Sequence, residues 1–182
     1  WYILNDGGKV YVNYSLNNTG NTFAYDPNIS FSGDSSIGFH PNSYNFSDMK
    51  NGTSNNSYVF QINVSKLTSP GIYNITANIS WRNPDNTMGS VRNVLTINVT
   101  SNKSMAFGPS TLNLSVGGGG QNSTTLTINS TGNDLLTNVN LSCLSGDACT
   151  SFTITINETN INISANDSKI VNFTFGSNRG LA

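Results

Sequence analysis

Apolar and polar positions alternate with a period of two along most of the chain, and the helical period hardly occurs. The clearest run is "YNITANISW", in which Tyr73, Ile75, Ala77, Ile79 and Trp81 fall on one face and Asn74, Thr76, Asn78 and Ser80 on the other. That pattern predicts a strand with an apolar inner face. "SYVFQINVS" before it and "SVRNVLTINVT" after it read as further strands, the latter joined to it through the hairpin loop "RNPDNTMGS". At the start, "WYIL-NDGG-KVYVNYSL" reads as a hairpin, because Asn5-Asp6-Gly7-Gly8 tolerates positive φ. Between these regions the pattern weakens, with short strands expected around Thr22 to Tyr25 and Asn28 to Ser32.

Past residue 101 the alternation resumes. A strand-like run from Thr111 to Val116 follows Gly108-Pro109, and "STTLTINST", "TNVNLSC", "TSFTITINE", "TNINIS" and "SKIVNFTF" come at spacings of about ten residues. The prediction is an all-β chain of two tandem β-sandwiches, over residues 1–102 and 103–182.

Two sets of residues carry a family resemblance. "PSTLNLSVGGGGQNSTTLTINSTGNDLLTNVNLS" with "INISANDSKIVNFTF", and "SPGIYNITANISW" with "VLTINVT", resemble the immunoglobulin-like β-sandwich repeats of archaeal and bacterial cell-surface proteins. The resemblance implies an extracellular, cell-surface location and an architecture, not an activity. It also implies a role for Tyr73, just after Pro70-Gly71, as the tyrosine corner of such a sandwich, as an alternative to simple core packing. The second region stops before a hairpin comparable to Gly71 to Thr100, so its sandwich is expected to lack one or two last strands. An open sheet is a liability that proteins normally close. Either the sequence is a piece of a longer repeat protein, or a neighbouring subunit donates the strands.

Composition adds that the chain is polar without being charged: 9% charged residues, against roughly 25% in ordinary soluble proteins. Its 36% apolar content and regular patterning argue against disorder. A net charge of −1 with scattered Lys and Arg gives no footprint for nucleic acid or an anionic membrane. No apolar run long enough for a transmembrane helix and no signal-peptide series occurs, and the abrupt start at Trp1 reads as a mature product or a piece of a longer surface protein. Cys143 and Cys149 flank a Gly-Asp turn in "CLSGDAC". They favour a small disulfide loop over free thiols, worth roughly 2 kcal/mol in the chain-entropy account.

Asn-x-Ser/Thr triplets begin at Asn13, Asn17, Asn28, Asn45, Asn51, Asn55, Asn63, Asn74, Asn78, Asn98, Asn102, Asn113, Asn122, Asn129, Asn140, Asn157, Asn162, Asn166 and Asn172, nineteen in all. Random placement of the same residues gives about seven to eight, and strand alternation raises that to about twelve. The excess favours N-glycan acceptors at these asparagines over the alternative of an AT-biased genome rich in Asn with few or no sites modified. Middle residues such as those of "NIT", "NVT" and "NFT" put the acceptor on the solvent face. Neutral sugars would then supply the hydration that surface charges usually give.

Catalytic chemistry is weakly represented. His40, the sole histidine, precedes Pro41; with Asp34 and nearby serines it could be drawn as a triad, but no G-x-S-x-G turn surrounds a serine. Glu158 is the only glutamate, and the aspartates are spread over loops, which gives no glycosidase-type carboxylate pair. "VGGGGQNS" lacks the Gly-Lys-Ser/Thr of a phosphate loop, and no calcium-loop series occurs. The expectation is a protein without catalysis, cofactor or metal. Its function class is an extracellular structural glycoprotein, a subunit or repeat of an archaeal-type surface filament or surface layer. Its partners are copies or repeat neighbours, with β-strand donation as one route of assembly, and covalently attached N-glycans. The alternatives are an adhesin or carbohydrate-binding module, which an exposed aromatic cluster would favour, and a viral spike or accessory domain of a secreted hydrolase.

Overall fold

A computed structural model describes residues 2–5, 7–54 and 58–177; Trp1, Asp6 and Asn55 lie outside the described residues. The chain is nearly all β and packs as two compact units, Trp1–Ser101 and Asn102–Ala182.

The first unit contains β1 (Tyr2–Leu4), β2 (Lys9–Tyr14), β3 (Tyr25–Ser32), β4 (Ile37–His40), β5 (Ser43–Asn45), β6 (Tyr58–Val64), β7 (Gly71–Arg82) and β8 (Met88–Val99). They form a five-stranded sheet in the order β1-β8-β7-β3-β5 and a three-stranded sheet in the order β2-β6-β4. This is sandwich connectivity, with the long β7–β8 hairpin at the centre of the larger layer. On β7, Ile75, Ala77 and Ile79 are buried while Asn74 is exposed, the phase read from the alternation. Ile75 and Ile97 pack with Val12, Ile37 and Ile62 of the facing sheet, and Ile29, Ala77 and Ile79 pack with Phe60. Tyr73 is half-buried at the start of β7, and its hydroxyl donates to the Ser69 carbonyl at 2.7 Å. That bond makes it a tyrosine corner.

Three expectations are corrected here. β1 and β2 do not form a hairpin: β1 pairs in parallel with β8 (Tyr2 opposite Ile97), whereas β2 pairs with β6 (Val12 opposite Phe60). The Asn5–Gly8 turn, closed by the Gly8 amide on the Asn5 carbonyl, carries the chain from one sheet to the other. A turn tolerant of positive φ suits either route, and half-buried alternation cannot say which sheet each strand joins. The two short strands expected after Thr22 are one irregular strand, β3, whose register shifts between Tyr25 and Asn28. The third correction falls in the second unit.

That unit contains β9 (Met105–Gly108), β10 (Gln121–Ser130), β11 (Leu136–Val139), the short helix α1 (Asp147–Ser151), β12 (Phe152–Ile156), β13 (Ile161–Ile163) and β14 (Ser168–Ser177). A four-stranded sheet ordered β12-β14-β10-β9 is faced by a two-stranded one, β11-β13. The smaller layer covers Ile128 and Val171 with Leu136, Ile161 and Ile163. Cover ends before β9, where Phe107, opposite Ile128, and Met105 remain 47% and 43% exposed. Residues 111–116, expected as a strand, are not one. Leu112, Leu114 and Val116 are half-buried between exposed neighbours, so the alternation survives, but among the described residues no ladder forms beside it. A strand is a pairing, and this segment's noted tie to the sheet is the Asn122 side-chain amide on the Ser115 carbonyl at 2.9 Å. Cys143 and Cys149 are disulfide-bonded, with Cα atoms 5.6 Å apart, and the ring leads into α1.

Candidate functional site

Of the eighteen described asparagines that open an Asn-x-Ser/Thr triplet, the expected acceptors, none is buried. Five belong to the outer face of the five-stranded sheet. Asn74 and Asn78 sit on β7, Asn98 on β8, Asn28 on β3 and Asn45 on β5, all in the phase opposite the core residues. Asn13 and Asn63 take the equivalent phase on the three-stranded sheet. In the second unit Asn129 and Asn172 lie on the outer phase of β10 and β14, and Asn162 on β13. Asn122 opens β10, and Asn17, Asn51, Asn102, Asn113, Asn140, Asn157 and Asn166 lie in connections. The alternation that builds the cores also displays the acceptors.

The acceptors differ in setting. Asn28 and Asn45 are directly opposed, and the Asn28 amide donates to Asn45 Oδ1 at 2.6 Å. Two glycans on so close a cross-strand pair exclude each other. Asn78 is half-buried between Ser30 and Arg92, while Asn74, nearer the start of β7, is exposed and accepts from the Thr96 hydroxyl at 3.2 Å. Asn140 and Asn157 tie separate segments together, their Oδ1 atoms receiving the Asn160 and Asn172 backbone amides at 2.8 and 2.9 Å.

A second site was not foreseen. Beside the β7–β8 hairpin, a cavity of about 540 Å³ is lined by Ile79, Trp81, Val91, Phe23 and Met49. Leu16, Ala24 and Pro27 add apolar wall, and the rest is polar, from the 17–22 loop and Asn83. Trp81, expected in the core, is only half-buried here, and its Nε1 donates to Asn83 Oδ1 at 3.1 Å. Gly89 lies directly across the hairpin and lets the indole rest on the β8 backbone; a Cβ at 89 would meet Nε1 at 2.6 Å. Counting outward from the "NPDNT" turn gives this Trp–Gly pairing, so the sequence held the signal. The loop wall depends on a distant contact and had no such signal.

The residues weighed for catalysis are not gathered. His40 is exposed at the end of β4, and the Asp34 carboxylate accepts from the Ser36 hydroxyl and amide at 2.7 and 2.9 Å. Those bonds, the hydroxyl's first, hold the Asp34 carboxyl below its ordinary range; Thr87 does the same to Asp85. Glu158 pairs with Lys169 at 2.9 Å. Among the described residues no group of three or more His, Cys, Asp or Glu side chains comes together, and no helix is long and apolar enough to cross a membrane. No protein-family model matches the chain, and no curated protein matches it.

Proposed function

We propose that the protein is an extracellular structural glycoprotein, a subunit or repeat of a cell-surface filament or surface layer, acting through its mechanical and steric properties rather than by catalysis. The observation that carries this reading is the outward display of the acceptor asparagines on sheet faces poor in charge. On such faces neutral glycans supply hydration and shield strand edges. The partly covered sheet of the second unit supports assembly by strand addition. Met105 and Phe107 present apolar surface there, and the 111–116 segment, alternating in burial but outside any ladder among the described residues, can take a partner through its backbone. Glycopeptide mapping of the chain from the cells that make it, with electron microscopy of the same material, tests the reading. Modified acceptors within a polymer are expected; bare asparagines on isolated monomers contradict it.

A carbohydrate-binding module is the second reading, favoured by the half-buried Trp81 and exposed Phe23 in the hairpin cavity. Titration of the unglycosylated chain with free neutral sugars distinguishes it, since only this reading requires saturable binding.

A further inference from the structure

We infer that the cavity beside the β7–β8 hairpin is the seat of the chain's own glycan, attached at Asn17. The inference rests on the glycoprotein reading and goes beyond it, by naming one acceptor whose sugar is part of the folded structure. Asn17 is at once a wall of the cavity and the first residue of the triplet Asn17-Asn18-Thr19. Its place on that wall is fixed by its neighbour. The Asn18 amide donates to the Thr22 and Met49 carbonyls at 2.9 and 3.0 Å, its Oδ1 accepts from the Gly20 amide at 3.0 Å, and its backbone amide donates to Thr53 at 2.9 Å. Asn18 therefore holds the loop, while Asn17 stands exposed at its edge.

The chemistry of the cavity selects a neutral, two-faced occupant. No charged side chain lines it among the described residues, so it offers nothing to a phosphate, a carboxylate or a cation. Trp81 and Val91 give flat apolar surface for the C–H face of a pyranose, and the Asn21 amide serves hydroxyl or acetamido groups, Asn83 being held by Trp81 and Thr87. A volume of about 540 Å³ accommodates about one or two sugar rings, within the usual range of ligand sites. Tethering decides between occupants of this chemistry. A sugar bound to the wall is present at an effective concentration on the order of millimolar, so contacts too weak to hold a free saccharide still seat it.

The test uses the full chain secreted from a glycosylating host, in a Trp1→Phe background so that Trp81 is the only tryptophan. Site-resolved mass spectrometry reads Asn17, nuclear Overhauser contacts read the distance from sugar protons to the indole, and acrylamide quenching reads shielding. Thr19→Ala removes the acceptor triplet and Asn17→Gln the acceptor itself, and both leave the cavity floor in place. The expected result is a modified Asn17 with sugar–indole contacts and a shielded Trp81, and loss of both in each variant. A modified Asn17 with Trp81 quenched as in Thr19→Ala overturns the inference. So does a bare Asn17 on a chain otherwise glycosylated, which leaves the broader reading standing, whereas a chain bare at every acceptor removes both. Shielding of Trp81 in the Thr19→Ala chain by added free N-acetylglucosamine also overturns it and assigns the cavity to a soluble saccharide.

Discussion

The Tyr73 hydroxyl donates to the Ser69 carbonyl at 2.7 Å, tying the first turn of residues before β7 to the strand that runs through the centre of the larger sheet. The bond closes the crossing into β7 and positions the whole β7–β8 hairpin. Tyr73→Phe keeps the ring and loses the bond. It is expected to lower the stability of the first unit by about 1 kcal/mol, seen as a lower urea midpoint at unchanged slope. A midpoint equal to that of the parent protein would show the corner to be ornamental.

The two faces of the hairpin differ in what they tolerate. Ile75 is fully buried and Ile72, three residues earlier on the opposite phase, is 60% exposed. Ile75→Ala is expected to cost about 2–5 kcal/mol and Ile72→Ser less than about 0.5 kcal/mol. Equal costs in chemical denaturation would contradict the assigned phase.

Gly89 and Trp81 form a cross-strand pair with no room for a methyl group between them. Gly89→Ala displaces the indole from the β8 backbone, at an expected cost of about 1–3 kcal/mol. A red shift in Trp81 emission, recorded with Trp1 replaced by Phe, checks the displacement. Unchanged emission and stability would mean that the indole does not rest there.

Asp34 and Asp85 give acid sensitivity to two loops. Each carboxyl has a folded-state pKa held below its ordinary value of 3.8 by a neighbouring hydroxyl and then by a backbone amide. Their stabilisation is therefore complete above that ordinary value and is lost as pH falls through the lowered one. The protection of the Ser36 and Thr87 amides, measured as exchange relative to the intrinsic rate at each pH, should fall over that acid window, and stay level there in Asp34→Asn and Asp85→Asn. A response confined to neutral pH would rule these carboxylates out.

Much of this architecture was legible because strand alternation survives packing: β6, β7, β8, β10, β12 and β14 lie where the apolar phase put them. Pairing was less legible. Tyr2–Leu4 and Lys9–Tyr14 carry the pattern of a hairpin yet join opposite sheets, because the partner of a strand is decided by residues nearly a hundred positions away, such as Ile97. Residues 111–116 carry the pattern of a strand without, among the described residues, the neighbour that would make them one. The acceptor asparagines were readable one by one, since the triplet is local and its exposure follows from phase. The opposition of Asn28 to Asn45 and the cavity wall at Asn17 were not, since each needs the fold to bring distant segments together.

The central claim, a charge-poor surface coated with sugar, is tested most directly by mass analysis of the chain from the cells that make it, as glycopeptides. Glycopeptides heavier than their bare sequences are expected, with Asn74 occupied more fully than the half-buried Asn78, and no single chain modified at both Asn28 and Asn45. Triplet-bearing peptides that all match the masses of their bare sequences would contradict the account.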